Sequence, residues 1–288
     1  MKPHNFNLVG GLPSPKDKRD FKIGQVQAPI TIPESYFTDL GKLPVLYQGK
    51  QPSCVGHATA LALMHADWLE LGKVTQLSPR FLYALAKRDD GFDGDGTYYR
   101  QCFKEAQEFG VCQEPLFKND IELDKDEYKD STRITPDAYT DAQPRVIKSY
   151  VRLDDMSLAG IKQAIYQNKL VLLGVKLGKE WWTNTSGDSA WTEKEVLPVR
   201  PPVDIISGHA ILAYGYDQDY IYFVNSWSKD WGRLGIGYFG KEYMPFVYEG
   251  WTFIDLPNSV VENLLQQKSL LEKVVELLKQ LIGLKKNV

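Results

Sequence analysis

Three groups along this 288-residue chain have the types, and the order, that a thiol-based acyl transfer needs. Cys54 follows Gln51, Pro52 and Ser53, His209 sits between Gly208 and Ala210, and Asn225 opens the run Asn225, Ser226, Trp227. A thiolate nucleophile, an imidazole base and an amide that orients the imidazole must come together from distant parts of a fold. A lone cysteine would more often be a buried apolar thiol. A histidine and an asparagine further along the chain turn that balance towards catalysis. His57, soon after Cys54, is a rival base, but no neighbour in sequence would hold its ring over the sulfur, so packing or a hydrogen bond within its helix is expected. His4 and His65 read as a terminal residue and a partly exposed helix residue.

The elements that must position these groups change character halfway along the chain. From Cys54 the residues Val55, Ala58, Leu61, Ala62 and Leu69 recur at helical spacing behind the start signals Pro52 and Ser53. Cys54 then lies at a helix N-terminus, where unpaired backbone N–H groups favour a thiolate. Further helices are predicted over Pro79–Lys87, Tyr98–Phe109 and Leu158–Asn168. After a polar loop with Pro136 and Pro144, strand-like runs cover Arg145–Val151, Leu170–Leu177, His209–Tyr216, Tyr220–Ser226 and Gly235–Phe239, with Asp217, Gln218 and Asp219 as a hairpin turn. A helical lobe (about 41–135) would carry the cysteine and a β lobe (about 136–257) the histidine and asparagine. The cleft between two such lobes is the expected substrate site.

Two segments flank this unit. Residues 1–40, rich in proline and mixed charge, read as an irregular arm laid over the domain. Residues 258–288 carry a broad stripe that includes Val260, Leu264, Leu271, Val275 and Leu278, opposite Glu262, Lys268, Glu272 and Lys279. They predict an amphipathic helix for self-association or partner docking; the alternatives are packing on its own domain and a membrane surface.

The full pattern resembles the papain family of cysteine peptidases. Gln48 precedes Cys54, the hydrophobic segment Ala58–Leu71 follows it, and Trp231 and Gly232 come soon after Asn225, Ser226 and Trp227. Leu77, Ser78 and Leu82 fall where that family has a Leu-Ser segment, and Asp93–Thr97 resembles its glycine-containing subsite wall. The likeness runs from about residue 10 to 254. It implies an α+β fold of two lobes, one helical and one an antiparallel β-sheet or barrel. It also implies peptide hydrolysis by Cys54 and His209, with Asn225 holding the imidazole and the Gln48 amide joining the Cys54 N–H in an oxyanion hole. Trp227 would shield the His209–Asn225 contact. Gly94, Asp95, Gly96 and Thr97 would pair with an extended peptide, and small Gly208 and Ala210 would leave room for the acyl chain. The family's pre-domain segments suggest that the arm partly covers the cleft. The residues around Cys54 lack the upstream cysteine and following tryptophan of the animal and plant enzymes, which suggests a disulfide-poor microbial or viral branch.

Composition narrows the remaining choices. A hydrophobic content of 43% with 12% aromatics suits a packed globular protein, and a formal charge of −3 leaves no electrostatic footprint for nucleic acid. Cys102 and Cys112 show no metal-ligand spacing with the histidines and read as free thiols rather than a disulfide, and no cofactor is expected. The N-terminus has no apolar run of signal-peptide length and no stretch would span a membrane. A cytoplasmic location is the default expectation, with release by lysis or a leaderless route left open. The alternatives to a peptidase of ordinary peptide bonds are an amidase, isopeptidase or cell-wall peptidase of the same chemistry, and a silent binding module.

Overall fold

The structure, a computed structural model, describes residues 10–182, 198–255, 265–273 and 275. In the first half, the order is β1 (Gly11–Leu12), α1 (Ile23–Val26), β2 (Tyr36–Phe37), α2 (Cys54–Leu71), α3 (Pro79–Asp89), β3 (Thr97–Tyr98) and α4 (Tyr99–Glu108). Then come α5 (Lys125–Lys129), α6 (Pro136–Ala142), β4 (Ile147–Arg152), α7 (Leu158–Asn168), β5 (Val171–Leu177), β6 (Ser207–Tyr216), β7 (Tyr220–Val224), β8 (Ile236–Gly240) and β9 (Val247–Asp255). Within residues 54–240 the predicted helices and strands are present to within a few residues. Three expectations differ: the arm, read as irregular, carries β1, α1 and β2; the polar stretch before β4 is folded into the short helices α5 and α6; and β9 was not anticipated.

Helix α2 is buried on all faces from Cys54 to His65, because apart from His57 and His65 the residues there are apolar or small. Gly72, at φ +67°, ends it in a left-handed turn. Gly56 allows α3 to come close, since a Cβ there would stand 2.6 Å from the Pro79 carbonyl oxygen. Ser78 caps α3 by accepting from the Phe81 N–H at 3.0 Å, with Pro79 in the first turn.

The β lobe is one antiparallel sheet in the order β4-β9-β5-β6-β7-β8, with β2 of the arm added on β6. β9 runs between β4 and β5, so the last strand is central, and its alternation is masked by burial on both faces. One buried cluster joins α2, α3 and α4 with Ala138 and Ala142 of α6; a second lies on the far side of the sheet around Trp181, Phe223, Trp231 and Phe239. The lobes meet where α2 packs on β6, and the Tyr99 hydroxyl of α4 donates to the Leu173 and Ile211 carbonyls at 3.2 Å each. Of the C-terminal stripe, residues 265–273 and 275 are helical with Leu270 and Leu271 exposed, and the remainder lies outside the described residues. Among the described residues, no helix is long and apolar enough to cross a membrane.

Candidate active site

Cys54 is the first residue of α2 and is fully buried. The preceding Ser53 does not cap the helix; its hydroxyl lies 3.2 Å from His57 Nδ1 and 3.3 Å from the Tyr128 hydroxyl. The first-turn N–H groups of Cys54 and Val55 are thus left to the sulfur, which also meets the N–H of Ala210, the neighbour of His209. These donors favour a thiolate, but burial outweighs them and pushes the thiol up to about 12. The low thiol pKa expected from the sequence is therefore absent in this covered state, and the physical reason is loss of water around the sulfur.

His209 Nε2 lies 2.8 Å from Asn225 Oδ1, the spacing of a hydrogen bond that fixes the ring. Asn225 Oδ1 also accepts from the Ser226 N–H at 2.8 Å, which holds the amide oxygen towards His209. The Trp227 ring lies 4.9 Å from the imidazole and the Trp181 ring meets it edge-on at 5.5 Å. Inside this aromatic box burial pulls the His209 imidazole down to about 4, against the favourable Asn225 contact. Burial thus disfavours the charged form of both the sulfur and the imidazole.

Gln48 stands between the lobes. Its backbone N–H donates to the Ser226 carbonyl at 2.9 Å, its Oε1 accepts from the Ser226 hydroxyl at 2.6 Å, and its Nε2 donates to the Gln51 carbonyl at 2.9 Å. The side chain is locked, and one amide N–H remains beyond the bond to Gln51. Ser226 is a residue whose positional part the sequence did not disclose, although it stands inside the Asn225–Trp227 run.

Glycines bring the arm onto these groups. A Cβ on Gly10 would lie 2.4 Å from Cys54 Sγ, and one on Gly11 would lie 2.8 Å from the His209 carbonyl carbon. Gly208 is small because the Gly11 carbonyl oxygen fills the space its Cβ would take. The Thr97 N–H donates to the Gly10 carbonyl at 3.0 Å and β1 pairs in parallel with β3, so Thr97, at the end of the Gly94–Thr97 segment, pairs with extended backbone of the chain's own arm. Asp95 pairs with Lys125. The Tyr248 hydroxyl donates to the Gly11 carbonyl at 2.9 Å, and buried Glu249 accepts from the Ser14 N–H at 3.2 and 3.3 Å. Further along, Asp20 forms a buried pair with Arg100, at 2.7 Å from Nε. No sequence signal marked Tyr248 or Glu249, because both lie on the unanticipated β9.

The remaining candidates fall elsewhere. His57 is buried, with Nδ1 2.9 Å from the Ser53 carbonyl oxygen, and burial pulls it down to about 4. His65 Nε2 lies 2.9 Å from the Asp39 carbonyl oxygen. Cys102 and Cys112 are free and buried. Trp181, after β5, is fully buried against His209.

Comparison with known proteins gives the site its context. Among solved structures, the chain is similar to xylellain, a cysteine protease from Xylella fastidiosa, with TM-score 0.71 and 22% identity over 89% of this chain and 99% of that one. It also resembles procathepsin B S9 from Trypanosoma congolense (TM-score 0.65, 15% identity, 87% of each chain). A third likeness is to digestive procathepsin L 3 of Tenebrio molitor larval midgut (TM-score 0.62, 18% identity, 82% of this chain and 74% of that one). Comparison with curated proteins gave no match. The family model for papain family cysteine protease matches residues 41–243, from just before Gln48 to past Asn225. The chain therefore belongs to the papain family and is a cysteine peptidase of α+β, papain-like fold.

Proposed function

We propose that the chain hydrolyses peptide bonds with Cys54 as nucleophile, His209 as acid and base, and Asn225 as the group that orients the imidazole, and that the arm holds this site shut. The carrying observation is the 2.8 Å contact between His209 Nε2 and Asn225 Oδ1 beside a cysteine that opens a helix without a side-chain cap. His209 Nε2–H donates to Asn225, which leaves Nδ1 as the basic nitrogen. When the cleft opens, water returns, the desolvation that holds Cys54 near 12 is relieved, and the helix-start N–H groups favour transfer of the thiol proton to His209. The thiolate attacks the substrate carbonyl. The oxyanion then meets the Cys54 N–H and the free Gln48 amide N–H, donors of the kind worth about 3 kcal/mol each in the transition state. His209 returns its proton to the departing amine, and water activated by the same ring releases the acyl group.

The Gly10 and Gly11 carbonyls are taken by the Thr97 N–H and the Tyr248 hydroxyl, not by the oxyanion donors, so the arm occupies the cleft as a cover and not as a substrate. Hydrolysis of an unfolded protein is the test. Removal of the first 31 residues is expected to raise the rate of cleavage well above that of the full chain. Equal rates, with no cleavage inside the arm of the full chain, would contradict the covering role.

A further inference from the structure

The Gly94–Thr97 wall contains no cysteine and its neighbours form no disulfide, yet the Thr97 N–H is held against the backbone of the arm. Its fixation traces to one buried cation. Lys87, in the last turn of α3, has a side chain only 5% exposed, and Asp90 beside it is wholly buried. The ammonium reaches Asp90 Oδ1 at 3.2 Å and Oδ2 at 3.0 Å, the Phe92 carbonyl at 2.5 Å and the Gly94 carbonyl at 3.0 Å. It also lies 5.1 Å from the centre of the Phe92 ring. Asp90 closes the turn from its other side by accepting from the Phe92 N–H at 2.9 Å. Three ammonium protons are thus spent on a carboxylate and two loop carbonyls, and the carbonyls belong to the chain that leads directly into the wall.

We propose that Lys87 is the positioning residue of the peptide-binding wall. By holding the Phe92 and Gly94 carbonyls it fixes the chain that follows, where the Gly96 N–H turns inward to the buried Tyr83 hydroxyl at 3.4 Å and the Thr97 N–H is left to meet the Gly10 carbonyl of the arm at 3.0 Å. A buried ammonium cannot be withdrawn without leaving the Asp90 carboxylate without its counter-charge and two carbonyls without this donor, so the loop has no cheap alternative arrangement. Lys87 acts on the grip for extended backbone and not on the sulfur. This rests on the reading of Cys54 as the nucleophile of a peptide-binding cleft.

Two reagents on the full-length protein separate these effects. Iodoacetamide needs only a reactive thiol, whereas the peptidyl epoxide E-64 must also lie along the wall. Each opening of the arm exposes Cys54 to both alike, so the ratio of the two labelling rates reports the wall alone. Lys87→Met is expected to lower the E-64 to iodoacetamide ratio about tenfold, the loss of one or two backbone hydrogen bonds to the reagent, and Lys87→Arg to restore most of it. If Lys87→Met does not fold, Asp90→Asn gives the same reading with a drop of about threefold, because the ammonium keeps its carbonyls but loses its counter-charge. An unchanged ratio in the variant that folds would overturn the role of Lys87 while leaving the catalytic reading intact. A wild-type chain that takes neither reagent at Cys54 would remove the catalytic reading, and the wall assignment with it.

Discussion

Cys54 in the helical lobe and His209 in the β lobe, the proposed nucleophile and base, are held by opposite means. The sulfur is surrounded by backbone: the N–H groups that open α2, the Ala210 N–H and the Gly10 main chain. The imidazole is surrounded by side chains, with Asn225 on one edge and Trp181 and Trp227 on its faces and rim. Trp181 is itself pinned, its indole N–H donating to the Tyr243 hydroxyl at 2.8 Å and its carbonyl accepting from Trp231 at 2.8 Å. A site on the helical side is therefore built by chain path, and one on the β side by a network of substitutable rings. The first should tolerate truncation of the reactive group with little structural loss, and the second should not tolerate loss of its supports.

That contrast can be broken in order of expected size. Cys54→Ala should abolish peptide hydrolysis, by about 10⁴-fold or more, and leave the melting temperature within about a few degrees of wild type, because the donors that meet the sulfur are backbone N–H groups and the change removes one atom from the core. Comparable hydrolysis in this variant would end the mechanism. Trp181→Ala should destabilise the protein by about 3 to 5 kcal/mol, since it empties the space between His209, Phe223 and Trp231, and denaturant unfolding measures it. A cost below about 1 kcal/mol would mean that the box does not hold the ring.

The smallest effect is on pH dependence. His57 and His209 are both pulled down by burial to about 4, from ordinary values of 6.5. Between pH 6.5 and 4 the unfolded chain takes up protons that the folded chain refuses, so stability present above pH 6.5 is lost as pH falls through about 4. The melting temperature should decline across that window, and His57→Gln should flatten about half of the decline attributable to the two rings. A slope identical in the variant would show that His57 is charged in the folded protein.

Much of the candidate site was legible because the proposed chemistry depends on residue type and order. Cys54, His209, Asn225 and Gln48 are read from position, and α2 is read from the apolar residues that follow the cysteine. What stayed hidden was geometry set by burial. The Cys54 environment follows from Gly10 lying on the sulfur, a contact between remote segments that no periodicity records. Strand β9 lacks visible alternation because it is central in the sheet, and with it went Tyr248 and Glu249. Lys87 reads as an ordinary helix-end cation, and only the path of the loop shows that it is buried among carbonyls.

The central claim is that a reactive Cys54 lies under the Gly10–Gly11 segment of the arm. It is tested most directly by E-64 labelling of wild type, Gly10→Val and Cys54→Ala full-length chains, followed by intact mass and peptide mapping. A side chain at Gly10 would press into the sulfur and lift the arm, so labelling of Cys54 in Gly10→Val is expected to be about tenfold faster than in wild type, with no adduct in Cys54→Ala. Equal rates in the first two chains, or an adduct in the third, would contradict it.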